Sequence, residues 1–461
     1  MPPPFEFSPQ KLVYGGEALG YHDGRVVLVP RVLPGERVEA EEVRTAKGVV
    51  HARPLRILAA APERVEPPCP YFGRCGGCHY QHLGAALQAA AKREILRETL
   101  RRIGKITWDE EIPTYAAEPW NYRNQAQLKI AAQADGTVAL GFFEAESHRL
   151  FPVDTCLILS PRLNEILGEL RKQERLARLA AAREVELLAD DRDEQVMLTL
   201  RGRFEPGEID TLAHDFLARL PGVASVAIER GSKLRGFGKP SLDYRVGDLH
   251  YQVSPGSFFQ ASRLLIPQLV ASVAPGFSPA RASGTSPAPL PGGATLSKHD
   301  DDGPVGERHG LALDLYAGVG LLSLPLAQSF AEVVAVEGNP VSAADLARNA
   351  RAQGLANLRV VGQSVFDFLR RFPRSGPDLV VLDPPRAGVG LPTLKLLTGL
   401  KPRRITYVSC HPPTLARDLG YLVERGYRLS SVELFDFFPQ TFHIESLAKL
   451  VRSDPVGREG H

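Results

Sequence analysis

The sequence lacks any apolar run that approaches the roughly 18–20 residues needed to cross a bilayer. Its start, Met1-Pro2-Pro3-Pro4, has neither the basic residues nor the apolar stretch of a secretory signal peptide. A strong charge imbalance is also missing, because 55 Lys and Arg residues nearly match 53 Asp and Glu residues and leave a net charge of +2. This balance gives no basic footprint for nucleic acid, although a local patch can still contact phosphate. We expect a soluble cytoplasmic protein, and total charge leaves RNA binding open.

Cysteine is scarce, with five residues in the chain. An odd number without an export signal argues against a disulfide framework and favours metal binding or catalysis. Cys69, Cys75 and Cys78 fall within ten residues, and Cys156 follows at a distance. Cys410 stands far from the other four, so the cysteines divide into a candidate ligand set and one separate thiol.

The length of 461 residues predicts about three domains. Residues 1–66 alternate short apolar runs with Gly and Pro turn signals, which favours a small β-barrel. Residues 67–275 carry the cysteine cluster and then a central α/β pattern. Residues 276–308 are rich in Ser, Pro, Gly and Ala and are predicted to be a disordered linker or insertion. Residues 309–453 form the last predicted domain.

The central region contains its strongest helical signal at 85–103, where basic residues that include Lys92 flank an apolar stripe. The basic side of an amphipathic helix more often faces solvent than binds phosphate. A second helix is predicted at 161–179, and strands are predicted at 127–131 and 196–200.

The last domain has short, almost uninterrupted apolar runs separated by helix-length segments. Such runs are typical of parallel strands that are buried on both faces, as in a doubly wound, Rossmann-like α/β fold. The predicted strands lie at 311–315, 333–336, 379–382 and 405–408.

A glycine-rich turn, Asp-Leu-Tyr-Ala-Gly-Val-Gly at 314–320, ends the first of these strands and opens a helix. Such a turn lets a ligand approach the backbone, and Glu337 at the end of the next strand is placed to bind a ribose. A dinucleotide site would share these features. Ser323 in place of a third glycine, together with Asp-Pro-Pro-Arg at 383–386, favours an S-adenosylmethionine-dependent methyltransferase.

Cys410 ends the fourth of these predicted strands, at the same sheet edge. A cysteine on a strand more often packs as a small hydrophobic residue, but its position beside the cofactor turn favours a nucleophile. C5 of uracil is a weak nucleophile until a thiolate adds to C6, and a base must afterwards remove the C5 proton. Glu445 is the candidate base, and His443 is its competitor.

Four segments resemble the RNA uridine-C5 methyltransferases, a class I S-adenosylmethionine-dependent family. They are Asp-Leu-Tyr-Ala-Gly-Val-Gly, Asp-Pro-Pro-Arg-Ala-Gly, a Val-Ser-Cys-x-Pro-x-Thr segment and His-Ile-Glu-Ser, in that order. The resemblance implies that Cys410 is the nucleophile and Glu445 the base. A further segment at 254–260 resembles the family's Ser-Pro-x-x-Phe-x-Gln motif. The cofactor-binding positions implied by the family are Gln260, Tyr316, Glu337 and Asp383.

The front of the chain carries two further resemblances. The segment that begins Gly15-Gly-Glu-Ala-Leu-Gly looks like a TRAM domain, a small OB-like RNA-binding barrel. Cys69, Cys75, Cys78 and Cys156 look like the family's iron–sulfur ligands and imply a 4Fe-4S cluster. Four cysteines also suit zinc, although zinc sites more often use two close pairs.

The resemblance implies formation of 5-methyluridine in RNA, and barrel plus cluster indicate 23S rRNA as substrate. The transfer-RNA T-loop is the alternative substrate, and an inactive RNA-binding relative is the alternative function. Three residues depart from the family pattern, which has asparagine at each position: Leu321, Ser364 and His411. We further expect a monomer.

Overall fold

The computed structural model describes residues 3–133, 136–274, 309–373 and 376–453. The predicted linker at 276–308 therefore lies outside the described residues. No helix in the described ranges combines the length and apolarity that a membrane span requires.

The N-terminal part is a six-stranded sheet in the order β1-β5-β6-β4-β3-β2. Its β3–β4 hairpin turns at Asp23-Gly24, where both residues have positive φ (48° and 74°), as a tight two-residue turn requires. Alternate residues of these strands, among them Ala18, Val27 and Val29, are buried. The strands are β1 Phe5–Phe7, β2 Lys11–Leu12, β3 Glu17–His22, β4 Arg25–Pro30, β5 Arg37–Ala46 and β6 Val49–Ala59.

The helix predicted at 85–103 is confirmed as α1 (Ala85–Arg102), and Ile95, Leu96 and Leu100 are buried as expected. The prediction for Lys92 was wrong, because its side chain is completely buried. Its Nζ donates to Asp436 Oδ1 at 2.7 Å and to Phe438 O at 2.9 Å. Lys92 is buried because α1 packs against the C-terminal part of the chain. The pattern of charges along a single helix does not reveal such a contact.

The central part is a seven-stranded sheet in the order β10-β9-β8-β11-β12-β13-β14. The helix predicted at 161–179 is two helices, because Lys172 between them adopts an extended backbone (ψ 132°). The strands are β8 Gln125–Ala132, β9 Val138–Phe143, β10 Leu150–Pro152, β11 Ala182–Ala189, β12 Val196–Gly202, β13 Val223–Arg230 and β14 Lys233–Gly238; the helices are α2 Pro161–Leu170, α3 Gln173–Arg178 and α4 Pro206–Arg219.

A hairpin and a short helix connect the central sheet to the C-terminal part. They are β15 Leu242–Val246, β16 Leu249–Val253 and α5 Ile266–Val273.

The C-terminal part is an eight-stranded sheet in the order β19-β18-β17-β20-β21-β23-β22-β7, flanked by helices. The expected Rossmann-like parallel core is confirmed in β19, β18, β17, β20 and β21, whereas β23 runs antiparallel to both neighbours. The strands are β17 His309–Leu315, β18 Phe330–Glu337, β19 Leu358–Gly362, β20 Leu379–Leu382, β21 Arg404–Ser409, β22 Tyr427–Asp436, β23 Glu445–Arg452 and β7 Thr114–Ala116; the helices are α6 Ser323–Ser329, α7 Pro340–Ala352, α8 Val365–Arg371, α9 Leu391–Gly399 and α10 Pro412–Glu424.

The N-terminal sheet and the C-terminal sheet share one hydrophobic core. A single cluster of buried side chains runs from Phe7 and Val29 through Leu96 of α1 to Leu419 and Leu450. Apolar burial is the main favourable term in folding, so this cluster fixes the N-terminal sheet against the parallel core.

Candidate active site

The candidate site lies at the carboxyl ends of the parallel strands. The order of connections reverses between β17 and β20, which opens a crevice at this edge, where ligands of such sheets bind. Asp314 lies on β17, Asp383 directly follows β20 and Cys410 directly follows β21. The strands therefore bring two carboxyl groups and a thiol to the same edge.

Glu445 and Cys410 lie side by side because β23 pairs with β21. Ser409 faces Ser446 in this antiparallel register, and Ser446 Oγ donates to Ser409 O at 3.2 Å. Glu445 precedes Ser446 and Cys410 follows Ser409, so both side chains lie at the same end of the strand pair.

The Cys410 thiol is partly buried among charged groups. Burial, with a further contribution from the carboxylates of Glu445 and Asp383, raises its pKa to about 11. The charge of Arg386 and a hydrogen bond from its guanidinium act in the opposite direction. Arg386 is thus the group that stabilises the thiolate.

Glu445 is buried, with 4% of its surface exposed. Burial and the neighbouring Asp383 raise the pKa of its carboxyl well above the ordinary value, while Arg386 opposes this rise. A carboxylate in such surroundings accepts a proton readily. His443, the competing base, has its pKa lowered to about 3 by burial and by Arg386. Its ring therefore binds a proton weakly, and the geometry favours Glu445.

Arg386 is held by α10. Thr414 Oγ1 donates to Arg386 O at 3.0 Å, and Arg417 Nη2 donates to Ala387 O at 3.0 Å. Gly388 has a φ of +77°, and a Cβ there would lie 2.6 Å from Asp418 Oδ2. The loop that carries Arg386 and the helix that follows Cys410 therefore form one unit.

The glycine-rich turn after β17 folds around the carboxylate of Glu337. Glu337 Oε2 accepts from Gly318 N at 2.8 Å, and Glu337 Oε1 accepts from Asn339 N at 2.6 Å. The backbone of Tyr316 has a φ of +69°, a conformation that residues other than glycine rarely adopt. The turn, here named the cradle, therefore holds Tyr316 and Glu337 close together at the carboxyl ends of β17 and β18.

Asp314 and Asp383 lie beneath this cradle. Burial, with a contribution from Glu337, raises the pKa of Asp314 to about 7, despite a hydrogen bond from Ser323 Oγ. Burial and the charge of Asp314 raise the pKa of Asp383 to about 7. Asp314 Oδ1 is buried without a hydrogen-bond partner. A cationic ligand would relieve this concentration of negative charge.

Gln260 is buried at the end of a segment that docks on α7. Asp345 accepts 2.7 Å hydrogen bonds from Ser254 N, Ser254 Oγ and Ser257 Oγ. Tyr251 OH donates to Leu321 O at 3.1 Å, next to the glycine-rich turn. The segment that leads to Gln260 is thereby fixed against α7, and Tyr251 ties its preceding strand to the glycine-rich turn.

Four cysteines, Cys69, Cys75, Cys78 and Cys156, lie close enough for their charges to interact. Burial, with smaller contributions from the neighbouring thiols, raises the pKa of Cys75 to about 11 and that of Cys78 to about 12.

Hydrogen-bond donors face these sulfurs: the Gln81 amide donates to Cys78, Gly77 N–H to Cys75, and two backbone N–H groups to Cys156. Within the described ranges, no three or more His, Cys, Asp or Glu side chains are arranged to hold a metal ion.

Comparison with known proteins matches residues 305–453 to the family model "tRNA (Uracil-5-)-methyltransferase". The chain is 34% identical to the 23S rRNA (uracil(1939)-C(5))-methyltransferase RlmD of Alkalilimnicola ehrlichii, over 97% of each chain. It is 33% identical to the RlmD of Pectobacterium atrosepticum, over 94% of this chain and 90% of that one.

The chain belongs to the RNA uridine-C5 methyltransferase family. This confirms the family predicted from the sequence. Among solved structures, the fold is similar to that of the tRNA (uracil-54, C5)-methyltransferase of Pyrococcus abyssi in complex with S-adenosyl-L-homocysteine. The TM-score is 0.69 at 24% identity, over 97% of this chain and 100% of that one.

His411 stands where the family resemblance implies asparagine, and in this structure it caps a helix. It is the N-cap of α10, and its Nδ1 accepts from Thr414 N at 3.3 Å. Burial lowers the pKa of the ring, with help from Arg386 and Arg417, so Nδ1 keeps its lone pair. Asparagine caps a helix through its side-chain oxygen in the same way.

Ser364 likewise caps α8, because its Oγ accepts from Asp367 N at 3.1 Å. The third departure, Leu321, has a buried side chain in the apolar core beside the glycine-rich turn. Two of the three departures thus keep a helix start, and the third exchanges a polar side chain for apolar packing.

Two residues of the site escaped sequence reasoning. No role is assigned to Arg386 from the sequence, although a cation in the Asp-Pro-Pro-Arg loop near a candidate nucleophilic thiol is a usable signal. Tyr14 of the N-terminal sheet lies against His411, with ring centroids 5.2 Å apart. No sequence signal predicts this contact, because the two residues are separated by almost the whole chain.

Proposed function

We propose that this enzyme methylates C5 of a uridine in RNA, with Cys410 as nucleophile and Glu445 as base. The observation that carries the proposal is the pairing of a thiol and a buried carboxyl across β21 and β23, with Arg386 acting on both. Methylation of an amine or a ribose hydroxyl needs no such thiol.

Cys410 forms the first bond. Its thiolate donates an electron pair to C6 of uracil, and the electrons of the C5–C6 double bond move toward the C4 carbonyl oxygen. C5 is thereby activated as a nucleophile. S-Adenosylmethionine, when bound, supplies the electrophilic methyl group. Glu445 then takes the proton from C5, the double bond re-forms, and the sulfur of Cys410 leaves C6.

The raised pKa of Glu445 suits this role. A carboxylate held in a buried, negatively charged setting gains more from accepting a proton than an exposed one does. Cys410 has the opposite need, since it must lose a proton to attack. Arg386 favours that loss through its charge and its hydrogen bond to the sulfur.

The cradle fits S-adenosylmethionine, whose sulfonium and ammonium groups are positive. Asp314 and Asp383 provide buried negative charge, and Asp314 Oδ1 has no partner. We propose that Gln260, Tyr316, Glu337 and Asp383 contact the cofactor, with Glu337 on the ribose.

The proposed RNA is 23S rRNA, because relatives that span almost the whole chain at 33–34% identity carry that name. The T-loop of transfer RNA is the alternative, favoured by the name of the structural neighbour. The N-terminal sheet is the proposed TRAM-type RNA-binding domain. We also expect a cytoplasmic monomer, which light scattering and cell fractionation would test.

The four cysteines are proposed to hold a 4Fe-4S cluster. Three cysteines close in sequence with one distant suit such a cluster better than zinc, which more often uses two close pairs. N–H groups directed at the sulfurs of Cys75, Cys78 and Cys156 are of the kind that tune iron–sulfur clusters. The cluster would position protein and RNA, since Cys410 and Glu445 already account for the methylation chemistry.

The decisive experiment uses RNA from a strain that lacks the gene. Wild-type protein should release tritium from 5-tritiated uridine in this RNA and leave 5-methyluridine at one mapped position, which also identifies the substrate. Cys410→Ala should abolish release, and Glu445→Gln should accumulate a covalent RNA–protein adduct. Glu424→Gln, at the exposed end of α10, is the matched control and should behave like the wild type. Full activity of Cys410→Ala would refute the mechanism.

A further inference from the structure

Five aromatic rings form a continuous surface beside the nucleophile. Tyr14 lies 5.2 Å from His411 and 5.4 Å from Phe442, centroid to centroid, in edge-on contacts. Phe442 in turn lies 4.6 Å from His79 and 4.4 Å from His443. We name these five rings the aromatic rim.

The rim draws on three separate parts of the chain. Tyr14 comes from the turn between β2 and β3, His79 follows the cysteine segment, and the other three rings belong to the C-terminal part. Gly16 permits this convergence. Its φ is +90°, and a Cβ there would lie 3.1 Å from the His79 ring. The N-terminal turn therefore packs directly against the catalytic part.

All five residues of the rim are partly exposed. A cavity of about 430 Å³ borders Tyr14 between the N-terminal turn and α1, and its lining includes none of the other four rings. Partly exposed aromatic residues leave surface on which an unpaired base can stack.

The rim begins one residue after Cys410. Arg386 and Arg417 are exposed next to it, and Arg386 Nη2 lies 3.3 Å from His443 Nδ1. Exposed rings stack on unpaired bases, and adjacent guanidinium groups bind phosphates. An extruded uridine at Cys410 must enter and leave through its two neighbouring nucleotides.

We propose that the aromatic rim stacks the base of a nucleotide adjacent to the target uridine. The inference rests on the proposed function and adds a second base-binding position to it. Tyr14 and Phe442 are its central rings, because they link the other three. Through Tyr14, the N-terminal sheet thus takes part in substrate selection at the catalytic centre. This role is additional to its proposed binding of RNA away from that centre.

The test uses an RNA transcript in which the wild type forms 5-methyluridine. Tyr14→Leu and Phe442→Leu should raise KM for this RNA by roughly 5- to 100-fold, the effect of losing one base–aromatic stack. KM for S-adenosylmethionine should stay unchanged. Tyr14→Phe and Phe442→Tyr should restore most of the affinity, because they keep a ring. Tyr21→Leu, an exposed ring of the same sheet (55%), is the matched control.

Abasic substitution of the transcript separates stacking from a structural role. Removal of the base on one side of the target uridine should raise the KM of the wild type for RNA by a factor similar to that of Tyr14→Leu. The same removal should cause no further rise in KM in the Tyr14→Leu variant. Equal losses in both proteins, or wild-type KM in both leucine variants, would overturn the proposal. If the wild type formed no 5-methyluridine in any RNA, the proposed function would fail, and this inference with it.

Discussion

The backbone N–H of His79 donates to the carbonyl oxygen of Gln440 at 2.7 Å. The N–H of Tyr80 shares this acceptor at 3.0 Å. Cys78, a proposed cluster ligand, directly precedes the two donors, and the loop that contains Gln440 leads into Glu445. The cysteine segment and the proposed base are therefore joined by main-chain hydrogen bonds.

Loss of the proposed 4Fe-4S cluster should act through this connection. Anaerobic chelation, or Cys78→Ser, is expected to lower both Tm and kcat, because the donors beside Cys78 lose their fixed position. A decrease of about 1 kcal/mol in the free energy of unfolding would lower Tm by roughly 2–4 °C or by somewhat less, because the shift becomes smaller as a chain becomes longer. Absorbance near about 400 nm, a thiolate-to-iron transition, measures cluster content in parallel. Iron-free protein with wild-type kcat would show that the segment holds its shape unaided.

Arg386→Ala should shift the pH dependence of kcat/KM. The Arg386 charge lowers the pKa of Cys410, so its loss raises that pKa above about 11 and leaves less thiolate at any given pH. The rising limb of the profile should move to higher pH by about one unit, the usual effect of losing one close charge. Tritium release from about pH 6 to about pH 10 measures it.

Arg370→Ala is the control for this profile, because Arg370 is an exposed residue of α8 whose ion pair with Asp367 lies at the surface. Its curve should superimpose on that of the wild type. A superimposed curve for Arg386→Ala would mean that another group sets the thiolate level.

Lys92→Met should destabilise the protein strongly. The change leaves Asp436 buried without its 2.7 Å partner, and breaking a buried ion pair costs about 3–5 kcal/mol. Addition of Asp436→Leu should recover most of this loss, since apolar side chains can replace such a pair. Urea unfolding measures the free energies, with Arg101→Met on the exposed face of α1 as control. A double variant no more stable than the single one would contradict this account.

Gly420→Ala should destabilise the contact between α1 and α10. A Cβ at Gly420 would lie 2.8 Å from Gly104 O, and backbone cannot move aside as a side chain can. The expected loss is about 1–3 kcal/mol in the free energy of unfolding, as for other overpacked sites. Gly168→Ala in α2, where a Cβ meets nothing within 4 Å, should be neutral or slightly stabilising. Equal effects of the two changes would argue against the close contact.

The sequence predicted the parallel core and the position of Cys410 because both depend on local patterns. Apolar runs of strand length indicate β17, β18, β20 and β21, and the glycine-rich, proline-containing or polar segment after each run indicates its end. The neighbours of Cys410 were harder to predict. Glu445 reaches it only through the antiparallel pairing of β23, a register that no local pattern specifies.

Long-range contacts account for the rest of the differences. From the sequence, Lys92 is predicted to be a solvated cation, because its partner Asp436 lies 344 positions away along the chain. The break between α2 and α3 depends on the backbone of Lys172 alone, while the helical periodicity continues on both sides. The burial of Lys92 arises from tertiary packing, which overrides local preference.

The strand β7 has a consequence for how the protein can be divided. Thr114–Ala116 pairs with β22 and supplies the last strand of the catalytic sheet, far upstream of its other members. A fragment that begins at residue 309 would leave the edge of β22 unpaired, and open strand edges recruit other chains. The methyltransferase sheet is completed by a segment made before it, so in this protein the catalytic unit is not a separable cassette.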